Sequence, residues 1–308
     1  MAEKIFWQGF WRLADPKISL ASFAGLWLGA CAAAADYHLS WGLMALTVLG
    51  VFCVEVAKNA AGEITDYDSG TDVEISDQER TPFSGGKRVL VDGLLSRKQT
   101  AVIANVFYLA AIAIGLWLVC FVNPKILLFG LAGMTLAWAY HAAPFRLAYR
   151  GLGELAVAIA YGPLVVGGTY FVQTGHLSEP LLHVACALGM HVAAFLWINE
   201  FPDSRADLAA GKYNLVARMG PDRASFGYVV LLTIAYCWLG FASFAYPNTL
   251  GYLWGFAGLP LAVFSAYRLI KSSGNIPAMI PAQAASLGAF VLMAFGGGSG
   301  YALFVLSH

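Results

Sequence analysis

Two acidic segments, each at the end of a long apolar stretch, hold the residues of this chain best suited to chemistry. The first, NAAGEITDYDSGTD, covers residues 59–72, and the second, NEFPDSRAD, covers residues 199–207. Carboxylates beside a hydrocarbon core are costly, so by default they indicate a functional site. Because the two segments have similar spacing, we expect them to form the two halves of one divalent-metal site.

The second segment has a helical pattern. Asn199, Asp203 and Asp207 are four residues apart, which places them on one stripe of a helix. Pro202 lacks a backbone donor, so we expect the helix to kink or end near residues 199–201. Carboxylate oxygens suit Mg²⁺, which binds one or two carboxylates together with waters and substrate phosphates. A solvated helix end with ordinary surface acids explains this segment equally well when it is considered alone.

The first segment favours the metal site. Asp66 follows Asn59 at helical spacing, and we expect Ser69-Gly70 to end the helix before Asp72. These acids lie at the membrane rim, where a bound metal would meet a water-soluble phosphate. The candidate metal ligands of the two segments are Asp66, Asp68, Asp72, Asp203 and Asp207.

Phosphate chemistry also needs cations, and the same loops supply them. The long polar loop 65–97 contains RTPFSGGKR, whose Ser-Gly-Gly run is suited to present backbone N–H groups to an anion. Each basic residue alone is better explained as a topology signal. Acids and bases in the same loops are better explained together, by a site for a diphosphate and Mg²⁺. The candidate diphosphate-binding residues are Arg80, Lys87, Arg88, Arg146, Lys212, Arg218, Asn199 and Asn59.

Apolar segments long enough to cross about 30 Å of hydrocarbon must position these loops. Hydrophobic residues make up 59% of the 308 residues and charged residues 12%, against roughly 25% charged residues in a soluble domain. We therefore predict an all-α integral membrane protein with no room for a separate soluble domain. The nine predicted transmembrane helices are 18–36, 41–64, 98–121, 126–143, 152–173, 180–200, 223–245, 249–270 and 284–306.

The basic residues predict the orientation of this bundle. Of the 18 Lys and Arg residues, only Lys125 falls in a loop on the side opposite the acidic segments. The positive-inside rule therefore places the N-terminus and both acidic segments in the cytoplasm, with the bundle in the cell inner (plasma) membrane. Residues 1–17, which mix aromatic and charged side chains, are predicted to form an interfacial amphipathic segment before a single domain, 18–308.

These motifs together resemble those of the UbiA superfamily of intramembrane prenyltransferases. NEFPDSRADLAAGKYNLVARMG is similar to the second Asp-rich motif of that family and the loop after it. DYDSGTD followed by RTPFSGGKRVLVDGLLS, and YHAAPFRLAYRGLGE, look like the branch that contains the 1,4-dihydroxy-2-naphthoate polyprenyltransferases. The resemblance implies a nine-transmembrane-helix bundle of UbiA type, with a central cavity open to the cytoplasmic side.

The first motif departs from the pattern of the family. Gly62-Glu63 stands where an Asn-Asp pair usually precedes the acid at Asp66. Asn59 lies one helical turn earlier and is the candidate to take over the role of that amide. The identity of the acceptor depends on how this difference is accommodated.

The resemblance also implies an activity. A prenyl group would move from a prenyl diphosphate to an aromatic quinone precursor, with 1,4-dihydroxy-2-naphthoate favoured. Ionisation assisted by Mg²⁺ would leave an allylic cation, which the ring of Tyr140 is the candidate to stabilise. The expected partners are the donor, a small aromatic or lipid acceptor and membrane lipids, with no nucleic acid. The predicted catalytic residues are Asp66, Asp72, Asp203, Asp207 and Tyr140.

Two other functions remain open from the sequence. A UbiA-type terpene cyclase, or a prenyltransferase with a non-aromatic lipid acceptor, would use the same ionisation and form a different product. A transporter or channel would bind cations at the inner acids, but the acids cluster at one face rather than midway through the bundle. A product assay with a labelled prenyl diphosphate distinguishes these functions.

Overall fold

The computed structural model describes residues 2–16, 19–272 and 274–307. Met1, Lys17, Ile18, Ser273 and His308 lie outside the described residues, so the predicted boundary between segments 1–17 and 18–308 falls outside them. Throughout the described ranges every regular element is helical, which confirms the predicted all-α class. Eight helical stretches there are long and apolar enough to cross a membrane. The remaining predicted span, 126–143, corresponds to a shorter apolar helix, Ile126–His141, of 16 residues.

The described residues form thirteen α-helices, α1 to α13 in chain order. They are α1 (Ala2–Ala14), α2 (Ser19–Asp36), α3 (Trp41–Asp68), α4 (Thr71–Glu74), α5 (Arg97–Phe121), α6 (Ile126–His141), α7 (Gly153–Ile159), α8 (Val165–Thr174), α9 (Glu179–Ala209), α10 (Leu215–Met219), α11 (Pro221–Ala245), α12 (Leu259–Ser272) and α13 (Ile276–Leu306). Leu147–Tyr149 and Leu250–Gly258 are 3-10 helices. Ala160–Leu164 is a π turn around Pro163, and it joins α7 to α8 in one membrane-crossing stretch.

Helix α9 lies at the centre of the bundle. It packs against α2, α7, α11 and α13, while α3 packs with α5 and α6 on the other side. The backbones of α9 and α7 approach so closely that a Cβ on Gly189 would overlap the carbonyl oxygen of Ala158. Small residues permit this kind of close contact between helices in a membrane. The second acidic segment is therefore carried by the most enclosed helix of the fold.

Both acidic segments lie on helices that continue beyond the predicted spans. The span predicted at 41–64 continues in α3 to Asp68, and Ser69 caps its end as expected from Ser69-Gly70. Of the kink or helix end expected near residues 199–201, the helix end is wrong, because α9 contains Pro202 and continues to Ala209. Proline removes only one backbone donor, and Arg205, beyond it, is held by Glu79 and by the carbonyl of Glu74.

Helix α1 is amphipathic and is fastened to the polar loop 65–97. Phe10 and Leu13 are buried in a cluster with residues of α3 and α5, whereas the Trp7 and Trp11 side chains are exposed. Arg12 pairs with Asp92 of the loop. One face of α1 thus packs on the bundle, and the other exposes the aromatic rings that suit a membrane interface.

Candidate active site

The two acidic segments meet at Gly85 and Gly86. The backbone N–H of Gly85 donates to Asp203 Oδ2 at 3.2 Å, and a Cβ on Gly86 would overlap Asp72 Oδ1. Both glycines have positive φ, +95° and +69°, which glycine adopts without strain. Loop 65–97 therefore folds back over α9 and places Asp72 and Asp203 on either side of the same two residues.

Asp66 is held by Tyr149, from the connection between α6 and α7, and lies near His141 at the end of α6. Its Oδ1 accepts a hydrogen bond from the Tyr149 hydroxyl at 2.7 Å, and its Oδ2 lies 3.9 Å from His141 Nε2. The Tyr149 hydroxyl also lies 3.0 Å from the Ser69 hydroxyl at the end of α3. Burial, together with the nearby Asp66, raises the pKa of Tyr149 to about 12, so this phenol remains a hydrogen-bond donor.

Lys212 lies between the two segments. Its Nζ is 3.3 Å from Oδ1 of Asp207, a side chain that is 1% exposed. Asp207 Oδ2 accepts a hydrogen bond from Asn214 at 2.7 Å. Burial acts to lower the pKa of Lys212, but the carboxylates of Asp207, Asp66 and Asp203 raise it above its ordinary value. A fixed positive charge thus stands among acids from both segments.

Asp72 shows how closely the acids crowd together. Burial raises the pKa of Asp72 to about 8, and the charges of Asp66 and Glu63 act in the same direction. Lys212 and Lys87 oppose this shift. The group lies in α4, just beyond the end of α3, and its side chain is almost completely buried. This crowding leaves an excess of negative charge that a bound cation would relieve.

Oxygen atoms along α9 are suited to bind such a cation. Asn199 Oδ1 and Asp203 Oδ1 are buried and have no hydrogen-bond partner among the described residues. Asp207 Oδ1 has its ion pair with Lys212 but no hydrogen bond there. An unpaired buried acceptor costs about 1–3 kcal/mol, so these positions fit a ligand or ion that satisfies them. Hard oxygen donors are the ligands that Mg²⁺ prefers.

The acids do not form a complete metal cage by themselves. Within the described ranges, no three His, Cys, Asp or Glu side chains are grouped closely enough to hold an ion. Mg²⁺ typically keeps several waters and takes further ligands from phosphate oxygens. The open arrangement of Asp66, Asp72, Asp203 and Asp207 therefore fits an ion that arrives with a diphosphate.

Two predicted residues make their contacts outside this site. Asp68 forms a two-point ion pair with Arg97 at 2.7 and 3.2 Å, and its side chain is 45% exposed. Two residues of an α-helix rotate the side chain by about 200°, so Asp68 lies opposite Asp66. Asn59 Nδ2 donates to the Leu13 carbonyl at 3.2 Å and so fastens α1 instead of facing the acids. We therefore leave Asp68 out of the proposed metal ligands and Asn59 out of the diphosphate site.

The predicted basic residues have different surroundings. Arg88 donates to the Ile75 carbonyl at 2.6 Å, and Arg218 donates to the carbonyls of Tyr213 and Arg150. These two side chains hold loops together.

The remaining basic candidates have looser contacts. Arg80 Nη1 lies 3.8 Å from Asp77, Lys87 Nζ lies 3.5 Å from Asp15, and the Arg146 guanidinium stands 5.5 Å from the Tyr149 ring centroid.

Two buried acids beside the site were not identified from the sequence. Glu154, at the start of α7, accepts a hydrogen bond from the Leu215 N–H at 2.8 Å. Glu200 follows Asn199 on α9 and is 8% exposed. Tyr149 was missed as well. The available signal was that Tyr149 and Glu154 lie within YRGLGE and Glu200 within NEFPD. The sequence does not show that α7 packs against α9, which brings Glu154 and Glu200 to the same part of the bundle.

An apolar cavity of about 240 Å³ lies among α3, α5, α6, α7 and α8. Tyr140 and Lys58 line its wall, and Lys58 Nζ stands 5.1 Å from the centroid of the Tyr140 ring. Leu118, Phe129 and Val172 line it further along. The predicted catalytic residue Tyr140 thus lies on the cavity wall, and Nε2 of the next residue of α6, His141, lies 3.9 Å from Asp66 Oδ2.

Comparisons with known proteins agree with this arrangement. Residues 22–277 match the UbiA prenyltransferase family. The chain is 31% identical to the 1,4-dihydroxy-2-naphthoate octaprenyltransferase of Haemophilus influenzae, over 76% of each chain. It is 25% identical to the Bacillus subtilis enzyme of the same name, over 75% of this chain and 72% of that one.

The fold is similar to that of a solved structure. A UbiA homolog from Archaeoglobus fulgidus, bound to GPP and Mg²⁺, superposes with a TM-score of 0.65 and 15% identity. The match covers 92% of this chain and 99% of that one. The family match over most of the chain, the naphthoate-enzyme relatives and the shared all-helical fold agree, and the chain belongs to the UbiA prenyltransferase family.

Proposed function

We propose that this chain is a Mg²⁺-dependent intramembrane prenyltransferase that transfers a prenyl group from a prenyl diphosphate to an aromatic quinone precursor such as 1,4-dihydroxy-2-naphthoate. The observation that carries the proposal is the meeting of the two acidic segments around Lys212, next to the end of α6, where His141 lies near Asp66 and Tyr140 lines an apolar cavity. A site with clustered carboxylates and a fixed cation beside an apolar cavity suits a substrate that is charged at one end and oily at the other. The names of the relatives from Haemophilus influenzae and Bacillus subtilis support the naphthoate acceptor.

The acids and the lysine have separate tasks in this proposal. Asp66, Asp72, Asp203 and Asp207 would hold Mg²⁺, which supplies charge neutralisation for a departing diphosphate. Lys212 faces the same anion with a second positive charge, and the unpartnered amide oxygen of Asn199 lies one helical turn before Asp203. Fixed charges aimed at developing negative charge are the largest catalytic contribution in many enzymes.

The cavity has the task of accepting the prenyl chain and excluding water. Its walls are mostly apolar, and Tyr140 presents an aromatic ring where the chain would meet the diphosphate. An aromatic face attracts a nearby cation, more strongly when water is absent. Exclusion of water also protects a reactive cation from hydrolysis. A carbon of the electron-rich acceptor ring would then bond to the allylic cation, and the ring would regain its aromaticity by losing from that carbon a proton or, where the carbon carries the carboxyl group, CO2.

The surroundings of the site support its placement at the cytoplasmic side of the inner (plasma) membrane. Basic side chains concentrate on the face that carries both acidic segments, as the positive-inside rule requires. Helix α1 exposes Trp7 and Trp11 while its other face packs on the bundle. We place α1 in the membrane interface and residues 18–308 in a single prenyltransferase domain.

The test is a product assay on the purified protein in lipid nanodiscs. With labelled geranylgeranyl diphosphate, Mg²⁺ and 1,4-dihydroxy-2-naphthoate, we expect a prenylated naphthol and released diphosphate. Asp203→Asn should lose the Mg²⁺-dependent release by at least about 100-fold. Asp222→Asn, an exposed acid at the start of α11, should retain it.

Other products would identify other functions. A cyclic hydrocarbon formed without any acceptor would make the chain a terpene cyclase. A prenylated lipid alcohol in place of the naphthol would change the acceptor and leave the diphosphate site intact. Unchanged release by Asp203→Asn would contradict the site itself.

A further inference from the structure

Gly62 provides a seat for an imidazole ring. A Cβ built on Gly62 would lie 2.5 Å from Cε1 of His141, 2.9 Å from its Nδ1 and 3.0 Å from its Nε2. Real Cβ atoms essentially never come within 3.0 Å of a heavy atom from a distant part of the chain. The His141 ring therefore fits there only because position 62 has no side chain. The His141 side chain is 13% exposed and its Nδ1 is buried without a hydrogen-bond partner in the described parts of the chain.

This seat is next to the first acid of the site. Gly62 lies four residues before Asp66, and therefore on the same face of α3 one turn deeper. From that place His141 Nε2 lies 3.9 Å from Asp66 Oδ2, while the Tyr149 hydroxyl binds Asp66 Oδ1 at 2.7 Å. The carboxylate of Asp66 thus lies between two rings, that of His141 at the end of α6 and that of Tyr149 from the connection after α6, one beside each oxygen.

The geometry points to His141 as a positioning residue for Asp66, with Gly62 as its required seat. The imidazole fills the space beside Oδ2 and so restricts the rotation of the Asp66 carboxylate. The distance of 3.9 Å is too long for a hydrogen bond, so the ring acts by packing and by its dipole. This inference rests on the proposed role of Asp66 in holding Mg²⁺.

The expected effect follows from groups that orient metal ligands. Loss of such a group typically costs about 10- to 100-fold in metal affinity or activity. Because the contact with Asp66 is not a hydrogen bond, we expect the lower end of that range. His141→Ala should raise the Mg²⁺ concentration for half-maximal diphosphate release about 10-fold and leave the rate at saturating Mg²⁺ closer to that of the parent.

A second readout does not depend on turnover. Thermal unfolding of the intact protein is measured against Mg²⁺ concentration in the presence of an inert prenyl thiolodiphosphate. The parent should be stabilised at lower Mg²⁺ than His141→Ala. The matched control is His191→Ala, which removes another buried histidine, one bonded to the Ala187 carbonyl on α9. That control should lower the unfolding temperature without moving the Mg²⁺ midpoint.

Two further variants test the seat itself. Gly62→Ala should displace the ring and shift the Mg²⁺ midpoint as His141→Ala does, and the double variant should be no worse than either single variant. Added imidazole should restore the midpoint of His141→Ala, because the space over Gly62 is then open. It should fail to restore Gly62→Ala/His141→Ala, where a methyl group blocks that space.

The outcomes separate this inference from the proposed function. If the parent shows no Mg²⁺-dependent release, the proposed function fails. If the parent shows release and His141→Ala has the same Mg²⁺ midpoint as the parent in both readouts, the positioning role is refuted and the proposed function stands. Additive effects of Gly62→Ala and His141→Ala would likewise refute the seat.

Discussion

Lys212→Met has opposite expected effects on metal binding and on catalysis. Lys212 Nζ lies 3.3 Å from Asp207 Oδ1, and the carboxylate is almost fully buried. At an effective dielectric constant of about 20, two unit charges at that distance attract each other by about 5 kcal/mol. Removal of one partner from a buried pair destabilises a protein by about 3–5 kcal/mol, because the other charge stays behind unpaired.

The uncompensated carboxylates should then bind Mg²⁺ more tightly in the absence of substrate. Lys212 competes with a metal ion for the same acids, so its removal strengthens their attraction for the ion. The same change should lower the rate of diphosphate release at saturating Mg²⁺ by about 100- to 1,000-fold, as expected when a group that stabilises the departing anion is lost. Asp203→Asn should weaken both properties.

Two measurements test this divergence. Thermal unfolding without substrate reports the stability of the metal-free protein and its Mg²⁺ midpoint, and single-turnover release of labelled diphosphate reports catalysis. Lys98→Met, at an exposed position near the start of α5, controls for the loss of a positive charge on the same side of the membrane. A Lys212→Met protein with an unchanged Mg²⁺ midpoint and an unchanged rate would refute the assignment of Lys212 to the site.

Three further changes have separate readouts. Gly86→Ala should abolish Mg²⁺-dependent release because its Cβ would overlap an acid of the site, whereas Gly93→Ala, with a similar φ of +66° and open space, should cost stability alone. Gly133→Phe should shorten the longest prenyl diphosphate that is accepted, measured by product chain length, since a Cβ there meets no described atom within 4 Å and the residue lines the cavity. Arg205 holds the pKa of Glu79 at about 2. The pair therefore adds stability above the ordinary glutamate pKa and loses it as pH falls toward 2. Glu79→Gln should destabilise the protein at pH 7, with a difference from the parent that shrinks with acidification; a difference independent of pH would contradict this.

Local patterns in the sequence predicted the parts of the site that depend on a single helix. The four-residue spacing of Asn199, Asp203 and Asp207 places them along α9, and Ser69-Gly70 ends α3 as expected. These features follow from helical periodicity and turn chemistry, which neighbouring residues determine. The all-α membrane class follows from the composition and from the length of the apolar segments, which also require no knowledge of contacts between distant residues.

Contacts between distant segments could not be read in this way. Asp68 is directed away from the acids by its angle on α3 and by Arg97, which lies 29 residues later. Asn59 faces the expected side of α3, but α1 covers that depth and takes its amide. The space above Gly62 is filled by a residue of α6. In each case the contacts of the residue depend on which other segment packs beside it at its depth in the bundle, and no local sequence pattern contains that information.

The charge of the metal-free site links its folding to its ligand. Asp66 near the end of α3 and Asp72 in α4 approach Asp203 and Asp207 on α9 where loop 65–97 folds over α9. Lys212 lies among these acids from the loop after α9. Repulsion among these acids acts against the folded loops until a cation arrives, so a ligand that binds only the folded site stabilises the loops as well. At 100 times its dissociation constant, such a ligand contributes about 2.7 kcal/mol. Loop 65–97 should therefore be protected from proteolysis by Mg²⁺ with a prenyl thiolodiphosphate in the parent and not in Asp203→Asn. Equal protection of both proteins would show that the loop is held by its contacts with α1 and α9 alone.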